Sequence, residues 1–270
     1  MQRIALGVEY NGINYHGWQR QPENFATTSV QAVLEGQLRQ IANEKITVYC
    51  AGRTDSGVHA TEQVVHFDYF NQNNKPRDLR AWLQGTNSLL PDDISLTWAQ
   101  YVPNDFHARF SALSRRYQYY IYSSKYSRAL LEKRALWLYK NLNIELMQQA
   151  CKYLIGEHDF SSFRSSQCQA KTSVRIMRDI KISMLNNFIV IDLTANAFLH
   201  HMVRNIVSCL IEIGSNKKSA EWIKELLEIK DRTKAPKTIA SHGLYLVNVE
   251  YDAKFNLPNL TNEIILPFMA

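Results

Sequence analysis

The chain has 270 residues, of which 46% are apolar and 21% are charged, a composition typical of soluble globular proteins with a buried core. This length suits one large domain or two modest domains. No apolar run approaches the roughly 18 residues that span a membrane, and the N-terminal stretch turns polar too soon for a signal peptide, so we expect a cytoplasmic protein.

Metal and disulfide chemistry find little support in the sequence. The four cysteines are scattered without a Cys-x-x-Cys pair, which argues against a zinc site and against a disulfide framework. His200 and His201 are adjacent, and neighbours on a helix point about 100° apart, so they cannot chelate one ion together without a ligand from elsewhere in the chain. We therefore expect no metal.

The charge is distributed unevenly along the chain. Residues 1–105 contain 8 Lys and Arg against 11 Asp and Glu, a net charge of −3, whereas residues 106–270 contain 23 against 14, a net charge of +9. A basic second half favours a polyanionic partner that binds mainly there. Solvated surface lysines would give the same excess without any partner, so charge alone does not decide.

Hydrophobic periodicity predicts the order β-α-β-β-α-β in the first 105 residues, which is the order of the split βαβ unit. The strands are expected at 3–10, 46–52, 63–69 and 95–102, and the helices at 29–42 and 78–86. A loop rich in glycine and aromatic residues follows the first strand, from Asn11 to Pro22.

The second half repeats this architecture without a convincing sequence repeat. Strands are expected at 114–123, 174–184, 187–195 and 244–251, and helices at 143–155, 199–213 and 219–229. The residues 185–187 between two of these strands are a hairpin signal. We therefore predict an α+β protein with two ferredoxin-like halves, 1–105 and 106–270, whose mainly antiparallel sheets form a shared central cleft.

The stretch 51–60 contains the clearest chemical motif. Asp55 lies two residues from Arg53, between Thr54 and Ser56, in a loop with two glycines. A carboxylate near an arginine stays ionised, because the opposite charge favours the charged form. A carboxylate held in this way can act as a nucleophile or as a base. The simpler alternative is a hairpin turn in which Asp55 only bonds neighbouring backbone N–H groups.

The complete string from Gly52 to His59 resembles the signature loop of the tRNA pseudouridine synthase A family. That loop reads Gly-Arg-Thr-Asp, a small residue, then Gly-Val-His. The resemblance implies that Asp55 is the catalytic aspartate and that Arg53 helps to flip the target base. Further family motifs follow in order to about residue 250, so the resemblance covers nearly the whole chain.

Three residues of the second half gain roles from the resemblance. Tyr117 lies on an expected strand, and pattern alone favours a core position. The resemblance implies that Tyr117 stacks on the flipped uracil and removes its C5 proton, a role for which the phenol pKa, ordinarily about 10, needs local tuning. It also implies that Leu244 lines the base pocket and that Arg204 is the ion-pair partner of the catalytic Asp. By itself, Arg204 would belong to a solvated helix face.

Two further segments are candidates for RNA contact. The first combines two aromatic residues with two potential cations and consists of Phe106, His107, Ala108, Arg109 and Phe110. A packed linker is the alternative for this segment, but the resemblance favours RNA contact, with Arg109 assisting base flipping. The second matches an RNA-contact loop of the family and consists of Gln167, Cys168, Gln169, Ala170 and Lys171. At Lys171 the family more often has arginine, so the charge is kept but bidentate phosphate binding is lost.

The resemblance thus implies an enzyme that isomerises uridine to pseudouridine at positions 38, 39 and 40 of the tRNA anticodon arm. It implies a homodimer and no cofactor. Two other classes stay open on the residues alone. A nucleosidase or glycosidase would use Asp55 hydrolytically, but such enzymes commonly pair two carboxylates, and the motif has one. A non-catalytic RNA-binding module would be expected to carry an RNP-type aromatic signature, which the sequence lacks.

Overall fold

The structure is a computed structural model that describes residues 1–21, 28–71 and 77–258. The chain divides into two compact units. The first contains Met1–Leu113 and the stretch that begins at Leu246, and the second contains Ser114–Tyr245. The sequence puts the division near residue 105 and assigns the last strand to the second half. Within the described ranges, no helix is long and apolar enough to cross a lipid bilayer.

The sheet of the first unit is antiparallel. Its first four strands are β1 (Gln2–Tyr10), β2 (Tyr49–Cys50), β3 (His59–Tyr69) and β4 (Ile94–Val102). β1 lies between β3 and β4, and β2 pairs with β3. This is the strand arrangement of the split βαβ unit, so the predicted fold of this half is confirmed. A late strand also lies next to β3, which explains why the chain returns to this unit after Leu246.

One amphipathic helix, α1 (Val30–Ala42), connects β1 to β2. The Ser29 side chain caps it by accepting a hydrogen bond from a backbone N–H of the first turn at 3.2 Å. Leu34 and Leu38 recur at helical spacing on the face that is fully buried. The helix predicted at 29–42 is confirmed.

The second helical connection in this unit contains a π-helical turn at Ala81–Gly85, inside the helix predicted at 78–86. Trp82 in this turn is fully buried and packs edge-on against Phe67 and Tyr69, with 5.0 Å between the ring centres in both pairs. This T-shaped arrangement is the one that aromatic pairs prefer. These rings anchor β3, the strand that follows the Asp55 loop.

The strands of the second unit are also mainly antiparallel. Its strands are β5 (Ala112–Ser123), β6 (Leu136–Leu138), β7 (Gly156–Asp159), β8 (Val174–Leu185) and β9 (Phe188–Ala195), and β10 (Leu244–Tyr251) begins in this unit and continues in the first. Its helices are α2 (Ile144–Cys151), α3 (Met202–Gly214) and α4 (Trp222–Ile229). β9 lies between β5 and β8 and is antiparallel to both, β7 pairs with β8, and β6 runs parallel to its neighbour, β5. The α+β class is confirmed.

The differences from the predicted elements have local causes. Helix α3 begins three residues after the predicted start at 199, because His201 has a left-handed backbone with φ of 65°, which a helix does not continue. β6 and β7 were not predicted, since strands of three and four residues are too short to show a period. The hairpin signal is confirmed, and Asn186 forms the turn with φ of 52°.

Candidate active site

The Asp55 loop, residues 51–58, connects the end of β2 to the start of β3. A backbone hydrogen bond from the Val58 N–H to the Asp55 carbonyl oxygen, 3.1 Å long, closes a tight turn around the aspartate. The Asp55 side chain is half-buried, and Arg53 is exposed. The loop therefore presents a carboxylate at the surface of the first unit on a short and well-defined turn.

Gln63 fixes the first half of this loop from inside the sheet. Its side chain is fully buried on β3. The Gln63 Nε2 donates to the Gly52 carbonyl oxygen at 2.6 Å, and the Gly52 N–H donates to the Gln63 Oε1 at 3.4 Å. Both halves of the side-chain amide are thus used on one residue of the loop, and the Ala51 N–H donates to the Val64 carbonyl at 2.8 Å. The Gln63 amide therefore holds Gly52 in one position, because moving the loop would leave buried polar groups without hydrogen-bond partners.

A second loop, residues 11–21, fixes the residues on both sides of Asp55. The Trp18 N–H donates to the Thr54 carbonyl at 3.0 Å. The Tyr15 carbonyl accepts from the Ser56 hydroxyl at 3.2 Å and from the Gly57 N–H at 3.3 Å. The residues that flank Asp55 are therefore bonded to one neighbouring segment, and the aspartate lies between fixed points.

Two glycines allow this close approach of backbones. A Cβ atom on Gly12 would lie 1.9 Å from the Val58 carbonyl oxygen, and one on Gly17 would lie 2.8 Å from the Thr54 carbonyl oxygen. Gly17 also has φ of 87°, a conformation that residues with a side chain rarely adopt. The glycine-rich composition of residues 11–21 is thus explained by contact with the Asp55 loop.

Buried polar side chains support this arrangement from behind. The Tyr10 hydroxyl forms a hydrogen bond of 2.7 Å with the Thr54 hydroxyl. The Tyr15 hydroxyl donates to Asp93, and burial, followed by this hydrogen bond, raises the pKa of Tyr15 well above its ordinary value. The His59 Nδ1 accepts from the Gly12 N–H at 3.2 Å.

Sequence reasoning missed these supporting residues. Gln63 carries a usable signal, because it directly precedes the apolar pair Val64 and Val65 of a predicted strand, where a side-chain amide has to find buried partners. The contacts of Tyr10 and Tyr15 leave no such signal, since tyrosines are common in core strands and loops.

The segment 106–110 is divided between the core and the surface of the first unit. Phe106 and Ala108 are fully buried, and the Phe106 ring lies 5.1 Å from the Tyr251 ring, centre to centre. By contrast, 76% of Phe110 is exposed, and the Arg109 guanidinium lies 5.6 Å from the centre of its ring. We therefore restrict the proposed side-chain contact with RNA to the remaining members of the segment.

A row of rings links this segment to β2. His107 lies 4.3 Å from Phe110 and 4.6 Å from His66 between ring centres, and His66 stacks on Tyr49 at 5.1 Å. Burial, and to a lesser extent the nearby His107 and Arg3, lowers the pKa of His66 to about 4. His66 is thus neutral at physiological pH, and its Nδ1 accepts from the Ala108 N–H at 3.2 Å.

The second unit carries the other predicted site residues. Tyr117 on β5 is buried, with its ring in T-shaped contact with Phe198 at 5.1 Å, and Leu244 at the start of β10 is also buried. The Arg204 Nε donates to the Ile239 carbonyl at 2.8 Å, so this helix residue helps to hold the segment that leads to β10. The pairing of Arg204 with Asp55 stays a prediction.

The loop 167–171 is also in the second unit. Gln167, Gln169 and Lys171 are exposed. Arg164 supports the loop, because its guanidinium donates to the Cys168 carbonyl at 2.6 Å. The loop therefore presents polar side chains and one cation to solvent.

The comparisons with known proteins identify the family. A family model described as tRNA pseudouridine synthase matches residues 7–111 and 150–252, and the first of these stretches contains the whole Asp55 loop with its supporting residues. The chain belongs to this family.

Proteins of similar length with the same family name are close to this chain in sequence. The chain is 55% identical over 258 residues to the tRNA pseudouridine synthase A of Pseudoalteromonas atlantica, which covers 96% of this chain and 95% of that protein. It is 51% identical over 256 residues to the tRNA pseudouridine synthase A of Buchnera aphidicola subsp. Baizongia pistaciae, covering 95% and 94%. The crystal structure of a Cbf5-Nop10-Gar1 complex matches with a TM-score of 0.34 and 12% identity over 77% of this chain and 45% of that chain, which is too low to support a comparison of folds.

Proposed function

We propose that this member of the tRNA pseudouridine synthase family isomerises uridine to pseudouridine at positions 38, 39 and 40 of the tRNA anticodon arm. The observation that carries the proposal is the construction of the Asp55 loop. Hydrogen bonds to Thr54, Ser56 and Gly57 fix the backbone on both sides of one half-buried carboxylate. A catalytic carboxylate has to be held in this way, because small displacements of a reacting group lower the rate strongly.

The reaction needs no external reagent. The bond between the ribose C1′ and the uracil N1 breaks, the uracil rotates, and its C5 bonds to C1′. The C5 proton leaves and N1 takes up a proton, so that atoms and electrons balance. Because there is no redox step and no group donor, we expect no cofactor. Asp55 begins the reaction, either by attacking the nucleotide covalently or by taking a ribose proton.

The other site residues act on the base and on the RNA. Tyr117 stacks on the uracil and accepts the C5 proton, Leu244 lines the base pocket, and Arg204 forms the ion pair with the catalytic Asp. Arg53 and Arg109 assist in flipping the target nucleotide out of the stem.

Binding of the substrate completes the proposal. His107 and Phe110 contact RNA together with the loop 167–171, in a cytoplasmic homodimer. Since the backbone of RNA supplies most of these contacts, affinity falls steeply as salt is added.

The test uses tRNA labelled with tritium at the C5 of uridine. The wild type releases tritium to water, and Asp55→Asn, which keeps the shape of the side chain, releases less than about 0.1% as much because the nucleophile or base is lost. Asp105→Asn is the matched control, since this carboxylate is exposed and, in the described part of the chain, forms an ion pair with Lys254 at 3.4 Å. It should retain full activity.

Other outcomes would replace the proposal. Free uracil in the reaction would indicate a nucleosidase, and tRNA binding without tritium release from the wild type would indicate an RNA-binding module. Asp55→Asn with more than a tenth of the wild-type rate would remove Asp55 from the chemistry.

A further inference from the structure

A second group of basic residues lies outside the stretches that the family model matches. Residues 124–140, which we call the basic segment, contain five Lys and Arg and one Glu, a net charge of +4 out of the +9 in the second half of the sequence. The cations are Lys125, Arg128, Lys133, Arg134 and Lys140. None of the residues proposed for catalysis or base binding lies in this segment.

Exposed aromatic side chains lie among these cations in the sequence. The exposed fraction is 67% for Tyr126, 44% for Trp137 and 66% for Tyr139. The Lys125 ammonium group lies 5.3 Å from the centre of the Tyr126 ring. Cations interleaved with exposed rings are typical of surfaces that bind nucleic acid, because every base has a face that stacks and every nucleotide carries a phosphate.

The basic segment is held firmly against the second unit. Its strand β6 pairs with β5, and the Trp137 Nε1 donates to the Ser124 carbonyl at 3.0 Å. The Tyr245 hydroxyl donates to the Arg134 carbonyl at 2.8 Å. Since these contacts exist before any ligand binds, the exposed side chains start from a fixed backbone, which reduces the entropy lost on binding.

A pocket of about 200 Å³ opens within this segment. Its lining includes Tyr122, Arg128, Lys133, Trp137 and the single carboxylate of Glu132. The Arg128 Nε donates to the Tyr122 hydroxyl at 3.2 Å, and this hydrogen bond is the main reason that the pKa of Tyr122 falls to about 8. Two cations against one carboxylate, together with a hydroxyl group, match the charge and the acceptor oxygens of a phosphodiester.

We propose that the basic segment is a second RNA-binding surface of this protein. Its pocket takes a phosphodiester of the tRNA backbone on Arg128 and Lys133, and Trp137 stacks on a neighbouring unpaired base. The proposal rests on the proposed function only in taking tRNA as the ligand. Net charge and exposed rings favour RNA over a second copy of the chain, because a copy would carry the same positive charge.

The experiment compares two double variants that remove the same charge. Arg128→Ala/Lys133→Ala removes the pocket cations, and Lys218→Ala/Lys224→Ala removes two exposed lysines outside the segment. The affinity for unmodified tRNA is measured between 50 and 300 mM salt by fluorescence anisotropy. The pocket variant should bind about tenfold more weakly near 150 mM, and its slope of log K against log salt should be shallower by about one to two. The control should stay within about twofold of the wild type.

The base contact is tested separately with Trp137. Trp137→Ala should weaken tRNA binding about fivefold without changing the salt slope, since stacking releases no counterions, and Trp137→Phe should restore binding. The kcat of tritium release at saturating tRNA should stay at the wild-type value in all of these variants, while KM follows the affinity.

The outcomes separate this proposal from the proposed function. An active wild type whose pocket variant keeps the wild-type affinity and slope would overturn the second surface alone. A change in oligomeric state by sedimentation, with unchanged affinity per subunit, would reassign the segment to self-association. A wild type that binds tRNA but releases no tritium would overturn the enzyme and leave the affinity comparison valid.

Discussion

The Asp55 loop and the basic segment use polar groups in opposite ways. Around Asp55, an amide, hydroxyls and backbone N–H groups are directed at the loop itself, and Gln63 and Tyr10 are buried. In the basic segment, the backbone is fixed by a few contacts, and the charged and aromatic side chains are directed at solvent. The first arrangement positions a single group, and the second offers charge to a large ligand.

This difference predicts two kinds of mutant. Uncharged hydrogen bonds that fix a backbone are insensitive to salt, so changes around Asp55 should lower kcat and leave the salt dependence of binding as it is. Exposed cations are screened by salt, so changes in the basic segment should alter affinity and its salt slope and leave kcat unchanged.

Among the changes that test the support of the Asp55 loop, the largest effect is expected at Gly17. In Gly17→Ala, the new Cβ lies 2.8 Å from the Thr54 carbonyl oxygen, and φ of 87° is strained for alanine. The Thr54 backbone has to move, and we expect kcat of tritium release to fall about 100-fold. Strain and overpacking together should lower the free energy of unfolding by about 3 kcal/mol. Stopped assays at saturating tRNA and urea denaturation measure the two effects.

Gly36→Ala is the matched control for this change. Gly36 lies in α1, and among the described residues no atom beyond its chain neighbours and the surrounding helix backbone lies within 4 Å of the added Cβ. Alanine in an exposed helix should raise the free energy of unfolding by about 0.5–1 kcal/mol and leave kcat unchanged. If Gly17→Ala kept the wild-type kcat, contact between residues 11–21 and the Asp55 loop would not position the aspartate.

β3 also contains a buried side chain that can carry a charge, Glu62. This buried carboxyl precedes Gln63, and burial raises its pKa to about 7, although a 3.3 Å hydrogen bond from the Asn248 side chain opposes the shift. A raised carboxyl pKa favours folding at low pH, where the group is neutral in both states. That stability is lost as the pH rises from the unfolded value near 4.5 through 7.

The variant Glu62→Gln removes this pH dependence. At pH 9 the free energy of unfolding should exceed that of the wild type by up to about 3 kcal/mol, and at pH 4 the two proteins should be equal. Urea denaturation at a series of pH values measures the difference. Glu228→Gln, at an exposed position of α4, should show none of it. An equal difference at both pH values would assign the effect to packing and not to titration.

The sequence correctly predicted the features that depend on a local pattern of residues within one helix, strand or loop. The apolar spacing in 29–42 and the alternation in 95–102 correctly predicted α1 and β4, and the motif 52–59 pointed to the family before any contact was known. In the part of the chain that the structure describes, the short strands β6 and β7 depend on tertiary packing, which leaves no periodic signal in the sequence. The start of α3 depends on the left-handed backbone of one residue, His201, which also leaves none.

The hydrogen bonds that hold the Asp55 loop could not be predicted from the sequence either. The bonds from Tyr15 and Trp18 to the Asp55 loop join residues about 40 positions apart, and no local pattern specifies such a pair. The burial of Phe106 agrees with the packed linker that the sequence left open as the alternative for this segment, whereas the burial of Ala108 was not predicted. A mixture of aromatic and charged residues does not show which members of a segment face the core.

Among the changes that test the support of the Asp55 loop, the smallest effect is expected when the Gln63 amide is removed. Gln63→Leu has nearly the same volume but leaves the Gly52 carbonyl and N–H without their side-chain partners. This should lower the free energy of unfolding by about 2 kcal/mol, and kcat should fall about tenfold because the entry to the loop is released. The exposed Gln40→Leu serves as the control and should change neither quantity. A loss of stability with wild-type kcat would mean that residues 11–21 alone hold Asp55. A shallower salt slope of tRNA binding would contradict the distinction between the two regions, because no charge has been removed.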